Sequence, residues 1–195
     1  MSDKIRTTVF GGTFNPIHNG HLAIARSIIE EGLTDELWFM VTPQNPWKAN
    51  LSLMDDNIRL QMAKTATEGM SRIYVSDFEF SLPKPSYTAD TLRSLDTAYP
   101  DREFSLAIGA DNWEKFDKWY DNGSIIEKYR IIVYPRNGYN MKPASSPNVT
   151  FLQCPLLDIS STEIRERIRN GLPVSGMIPD KLIPMLGFYQ TNGVS

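Results

Sequence analysis

The chain has 195 residues but a single cysteine, Cys154, and only two histidines. One thiol cannot close an internal disulfide or build a cysteine-based zinc site, and it fits a reducing compartment. There is no basic excess either: 20 Lys and Arg stand against 23 Asp and Glu, a net charge of -3. That balance argues against a nucleic-acid-coating role but leaves room for a local basic pocket that takes a small polyanion. No apolar run approaches a membrane span, and the start Met1-Ser2-Asp3-Lys4 lacks the apolar segment of a signal peptide. The expectation is a soluble, cytoplasmic protein with neither nucleic acid nor membrane as partner. Two common nucleotide-binding signatures are also missing, since neither GxGxxG nor GxxxxGK[ST] occurs.

What is present is a regular alternation. The β-branched or apolar runs "IRTTVF" (5 to 10), "ELWFMVT" (36 to 42), "RIYVSDFEF" (72 to 80), "EFSLAIG" (103 to 109), "YRIIVYP" (129 to 135) and "VTFLQ" (149 to 153) read as strands. Helices are expected over 21 to 31, where Leu22, Ala25, Ile28 and Ile29 share a face, and over 55 to 67, 88 to 99, 160 to 170 and 179 to 187. Residues 111 to 120 read as an aromatic-rich helix or turn, with Trp113 and Phe116 assigned to the core. Strands separated by helix-length segments imply βαβ units. The expected fold is therefore α/β: a Rossmann-like, doubly wound, mostly parallel sheet flanked by helices. One domain is expected over 1–195, with 160–190 as its C-terminal helical part, and 135 to 148 reads as a flap rather than a linker. In such sheets ligands bind beyond the carboxyl ends of the strands, so the loops after the first, second, fourth and last strands are expected to face one crevice.

Both histidines fall in "GGTFNPIHNGH" (11 to 21), directly before the first helix. Gly11 and Gly12 are expected to supply positive φ and room for phosphate beside the backbone amides. His18 and His21 flank Gly20 where unpaired amides and the helix dipole already favour an anion. Two imidazoles there could donate hydrogen bonds to phosphoryl oxygens. The competing readings are histidines that only cap or pack the helix, and a two-histidine metal site. The latter lacks an acidic third ligand, for which Asn15 is a poor substitute. A second candidate is "DISSTEIRERIRNG" (158 to 171), with Ser160 and Glu163 spaced as a capping box and Gly171 as the stop. It could be only a well-capped surface helix. However, Arg165 in its first turn opposes the helix dipole unless a polyphosphate binds there, on Ser161, Thr162 and the free amides, with the guanidinium as clamp.

"GGTFNPIHNGH" resembles the HxGH signature of the nucleotidyltransferase superfamily, and "ISSTEIR" its second signature, ISSTxIR. "PSYTADTL" (85 to 92), "IGADNWEKFDKWY" (108 to 120) and the "TPQNPWK" loop (42 to 48) are similar to segments of its nicotinate mononucleotide adenylyltransferase branch. The resemblance implies the nucleotidyltransferase type of α/β fold. It implies ATP bound by Gly11, Gly12, Thr13, Phe14, His18, His21, Asp111, Ser161, Thr162 and Arg165, with His18, His21 and Arg165 catalytic. The acceptor, nicotinate mononucleotide, would lie on Lys48, Thr88, Trp119 and Tyr120. Side-chain chemistry agrees: Trp119 and Tyr120 offer an aromatic face to a pyridine ring, Lys48 a point charge to a phosphate, and Asp111 an acceptor for ribose hydroxyls. The implied reaction forms nicotinate adenine dinucleotide and pyrophosphate, with Mg2+ carried by ATP and no metal held by the protein alone. The alternatives are the same chemistry on nicotinamide mononucleotide or phosphopantetheine, and a nucleotide-binding module without turnover. A homo-oligomer is left open. Asn15, where this branch usually has Asp, and Trp47, where His is frequent, depart from the pattern.

Overall fold

In the computed structural model, which describes residues 4–43, 54–139, 146–155 and 157–187, six strands form one sheet. They are β1 (Ile5–Gly12), β2 (Glu36–Val41), β3 (Ile73–Ser76), β4 (Arg102–Gly109), β5 (Arg130–Tyr134) and β6 (Val149–Phe151). Every pairing is parallel and the order is β3-β2-β1-β4-β5-β6. The order reverses direction between β1 and β4, so a crevice opens at their carboxyl ends.

The helices are α1 (Asn19–Glu30), α2 (Asp56–Thr67), α3 (Thr88–Ala98), α4 (Ala110–Trp113), α5 (Asn122–Lys128) and α6 (Ser161–Arg169). Strand alternation decides which face each residue serves. Phe10, Leu37, Phe39 and Ile132 pack against α1, α2, α6 and the 3-10 segment Asp180–Leu186. Their neighbours Val9, Trp38, Met40, Leu106 and Ile131 pack on the other face against α3 and α5. Because both faces are covered, β2 is buried along its whole length, the pattern of a central parallel strand.

Several boundaries differ from the sequence reading. The first helix begins two residues early, at Asn19, because His18 caps it. Gly11 and Gly12 are the extended last residues of β1, paired with Met40 and Val41; the left-handed residue of this turn is Phe14, at φ 45°. β3 stops at Ser76, and Phe78–Ser81 closes into a 3-10 turn in which the Ser81 hydroxyl donates to the Phe78 carbonyl at 2.8 Å. Residues 111 to 120 split into α4 and a 3-10 turn at Phe116–Lys118. Phe116 enters the core and Trp113 stacks on it, half-buried. α5 was not foreseen: Gly123 weakens its pattern, and its start depends on Asp121 in the left-handed region, where Ser124 donates to its carboxylate at 2.7 Å. The last predicted helix is a 3-10 segment containing Pro184, which has no N–H to give an α-helical ladder.

Candidate functional site

The turn after β1 holds its two histidines through the backbone. His18 is the N-cap of α1, and its Nδ1 accepts from the His21 N–H at 3.4 Å, while His21 Nδ1 accepts from the His18 N–H at 3.3 Å. This is a capping box made of imidazoles. Capping and function are therefore not rivals: a nitrogen used as acceptor carries no proton, so each ring presents its N–H at Nε2. The rings stack with centroids 3.6 Å apart, and Phe14 meets His21 edge-on at 5.0 Å. Gly20 leaves room for this stack, since a Cβ there would come within 3.0 Å of the His18 ring. Gly12 does the same for the Phe14 ring, at 2.9 Å. The glycines are needed for space rather than for positive φ.

Burial, reinforced by the nearby Arg136 cation, lowers the His18 imidazole to about 3. The sign follows directly. The unfolded chain takes up this proton near pH 6.5 and the folded chain does not, so stability is complete above that value and declines as pH falls from 6.5 toward 3. From this group alone the fold is expected to lose about 2 kcal/mol by about pH 5, one proton's worth of slope. Urea titrations of wild type and His18→Asn across that range check it, because the variant should lack this component.

The second candidate helix, α6, ties itself to the same turn. Ser160 Oγ caps it, accepting from the Glu163 N–H at 3.1 Å. The expected capping box is only half formed, because the Glu163 carboxylate lies toward Arg167, 3.8 Å away. Ser161 donates to the Pro16 carbonyl at 2.9 Å, and Arg165 donates to the Asn15 carbonyl at 2.8 Å and to Thr162 Oγ1 at 3.1 Å. Asn15 itself is buried, with its side-chain oxygen accepting from the Met54 N–H at 3.4 Å. The residue that departs from the family pattern thus links the α2 approach to α6 through one loop.

Two cavities meet at the sheet's switch point. The first, about 560 Å³, is lined by Gly11, Gly12, Thr13, Phe14, His18, His21, Asp111, Ser161, Thr162 and Arg165. The second, about 460 Å³, is lined by Thr88, Trp119 and Tyr120 among others. Gly11, Gly12, Asn112 and Tyr134 belong to both walls, so the cavities abut where the strand order reverses. Lys48 and Trp47 lie outside the described residues. Thr88 is not a helix cap: Tyr87 holds the N-cap position with no side-chain bond, and Thr88 is the first residue of α3.

The sequence reading missed Arg136 and Tyr134. Arg136 follows β5, lies 5.4 Å over the Tyr134 ring and faces Asp111 at 3.8 Å. Neither Arg136 Nε nor Asp111 Oδ1 has a hydrogen-bond partner, although both atoms are buried. Buried polar atoms left this way cost about 1–3 kcal/mol each, so the gap between them suits a ligand hydroxyl that can serve both. An arginine straight after a buried parallel strand was the available signal. Arg169, one turn beyond Arg165, also reaches this wall.

The cytidylyltransferase-like family model matches residues 9–167, which span both histidines, both cavities and most of α6. A Bacteroides fragilis protein named "probable nicotinate-nucleotide adenylyltransferase" is 51% identical over 170 residues, 86% of this chain and 84% of that protein. The chain belongs to the nicotinate-nucleotide adenylyltransferase family. A relative of the same name from Flavobacterium johnsoniae is 43% identical over 89% of this chain and 92% of its own length. The fold is also that of the Plasmodium falciparum nicotinic acid mononucleotide adenylyltransferase solved with NaAD, at a TM-score of 0.83, 19% identity and 98% coverage of both chains. That likeness covers the fold alone: a parallel sheet flanked by helices. Among the described residues no helix is long and apolar enough to cross a membrane.

Proposed function

We propose that this chain transfers the adenylyl group of ATP to nicotinate mononucleotide, forming nicotinate adenine dinucleotide and releasing pyrophosphate. The observation that carries the reading is the pair of cavities sharing the Gly11–Gly12 wall: one is lined by the N-terminal ends of α1 and α6, the other by aromatic side chains. An acceptor phosphate in the second cavity and a triphosphate in the first would meet at that wall.

The reaction needs no covalent intermediate. A 5′-phosphate oxygen of the acceptor is already anionic at neutral pH; it bonds to the α-phosphorus of ATP as the bond from that phosphorus to the bridging oxygen of the leaving pyrophosphate breaks. The protein's part is positioning and charge stabilisation. His18 and His21 donate Nε2–H to the phosphate oxygens. The α6 amides, Ser161, Thr162 and Arg165 hold the departing pyrophosphate. Asp111 and Arg136 receive the ribose side, and Lys48 the acceptor phosphate. Mg2+ enters as part of the substrate. Among the described residues the carboxylates on the first cavity's wall are Asp111 and Asp158, and Asp158 already accepts from Asn137 at 2.8 Å, so the ion would stay on phosphate oxygens and water. Such a reaction, with one half-buried thiol nearby, belongs in the cytoplasm.

Pyrophosphate release measured with ATP and nicotinate mononucleotide, nicotinamide mononucleotide or phosphopantetheine tests this. The nicotinate acceptor is expected to turn over with the highest kcat/KM. Preference for phosphopantetheine would overturn the acceptor reading, and binding of both substrates without turnover would favour a binding module.

A further inference from the structure

Two segments far apart in the chain wall the second cavity. Tyr87, Thr88 and Thr91 come from the start of α3, and Trp119 and Tyr120 from the stretch between the 3-10 turn Phe116–Lys118 and α5. A ligand held between them gains from both walls only if their spacing is set beforehand, because ordering them on binding would subtract from its affinity. Neither wall is locked by its own helix start: no side-chain bond caps α3 at Tyr87 or α5 at Asp121. The exposed Tyr87 and Tyr120 rings meet across the gap with centroids 4.9 Å apart.

A polar link joins the same two segments. Asp121 follows Tyr120 directly, and Arg93 lies on α3 two residues past Thr91. One terminal nitrogen of Arg93 donates to Asp121 Oδ2 at 2.5 Å and the other to Asp90 Oδ1 at 2.6 Å. The second Asp121 oxygen accepts from the Ser124 hydroxyl at 2.7 Å, so this carboxylate also fixes the first turn of α5. Asp121 sits at φ 52°, a conformation that Asp adopts more readily than most residues. The Asp90–Arg93 pair alone would be an ordinary i,i+3 surface contact. The branch to Asp121 crosses 28 positions and ties one wall to the other. A second tie between α3 and the end of α5 lies at Asp96, whose Oδ2 accepts from Lys128 Nζ at 2.6 Å and from the Tyr129 hydroxyl at 2.7 Å. Neither Asp96 nor Lys128 is among the described residues on the cavity wall. The two helices therefore stay joined when the first link is cut, and what is lost is spacing at the cavity.

We propose that Arg93 is a positioning residue for the acceptor, its guanidinium fixing the Trp119–Tyr120 wall against the start of α3. This rests on the second cavity being the acceptor site. All three charged side chains are partly exposed, so the link is worth about a three- to fivefold change in acceptor affinity rather than a loss of the fold.

The test measures kcat and both KM values, with ATP and nicotinate mononucleotide, in wild type, Arg93→Gln, Arg93→Lys, Asp121→Asn and Lys128→Gln. Arg93→Gln and Asp121→Asn are each expected to raise KM for the mononucleotide about three- to fivefold, with kcat and KM for ATP unchanged. The double variant should be no worse than either single one, since both remove the same contact. Arg93→Lys should recover part of the effect, because one ammonium cannot fork to two carboxylates. Lys128→Gln, which loosens only the distant tie, should keep the wild-type values. An unchanged acceptor KM in Arg93→Gln, an equal rise in both KM values, or the same rise in Lys128→Gln overturns the proposal alone. No turnover of nicotinate mononucleotide by the wild-type chain would overturn the acceptor reading and the proposal with it.

Discussion

His21→Ala is expected to lower kcat by about 10²–10³, the usual effect of removing one preorganised donor from a developing oxyanion. The geometry explains why this side chain should act in the transition state. His21 Nδ1 is engaged by the His18 N–H, which directs Nε2–H outward, and the Phe14 edge and the His18 face fix the ring plane. The donor therefore requires no reorganisation when charge builds on the phosphorus oxygens. Alanine also removes one arm of the reciprocal cap, a loss of about 1 kcal/mol in stability, too little to unfold a domain of ordinary stability. Pyrophosphate release under saturating ATP separates the two effects. A fall in kcat with KM for ATP little changed assigns the contact to the transition state, whereas a raised KM alone would mean ground-state binding. Turnover close to wild type would sink the assignment.

How far the sequence disclosed this site depends on which physical signal each residue leaves in one dimension. The strands were legible because strands of a sheet covered on both faces read as short runs rich in apolar and β-branched residues, as β1, β2, β4 and β5 do. β3 was overextended since Phe78 and Phe80 continue the apolar alternation while the backbone turns to bury Glu79. The histidine turn and the α6 start were legible as chemistry because rare residue types sit at helix N-termini. Their connection was not legible. Arg165 reaches the Asn15 carbonyl across 150 positions, a contact that no periodicity encodes. Tyr134 and Arg136 were hidden for the opposite reason: an aromatic and a cation at the end of a strand look like ordinary edge residues until the sheet order puts them at the switch point.

Arg59→Met is expected to destabilise the fold by about 3–5 kcal/mol, as removing one partner from a buried charged network does. In the sequence this arginine stands inside the helix expected over 55 to 67, between Ile58 and Leu60. In the structure it is fully buried. Its Nε donates to the Met54 carbonyl at 3.0 Å, one terminal nitrogen to the carbonyls of Thr13 and Thr42 at 2.5 and 3.1 Å, and the other to Asp56 at 2.5 Å. Methionine fills much of the volume but leaves three carbonyls without their donor and Asp56 without its cation. Lysine keeps the charge, yet one ammonium cannot span acceptors that a planar fork reaches from three nitrogens, so Arg59→Lys should recover only part of the loss. Urea unfolding with an unchanged m-value gives the number, and a cost below about 1 kcal/mol for Arg59→Met would refute the role. A catalytic consequence is expected as well. Thr13 belongs to the wall of the first cavity and Thr42 to that of the second, so a single guanidinium holds the loops after β1 and β2 in register. A variant still folded at low temperature should therefore lose kcat along with stability, because the in-line approach of two phosphates tolerates little relative movement of those walls.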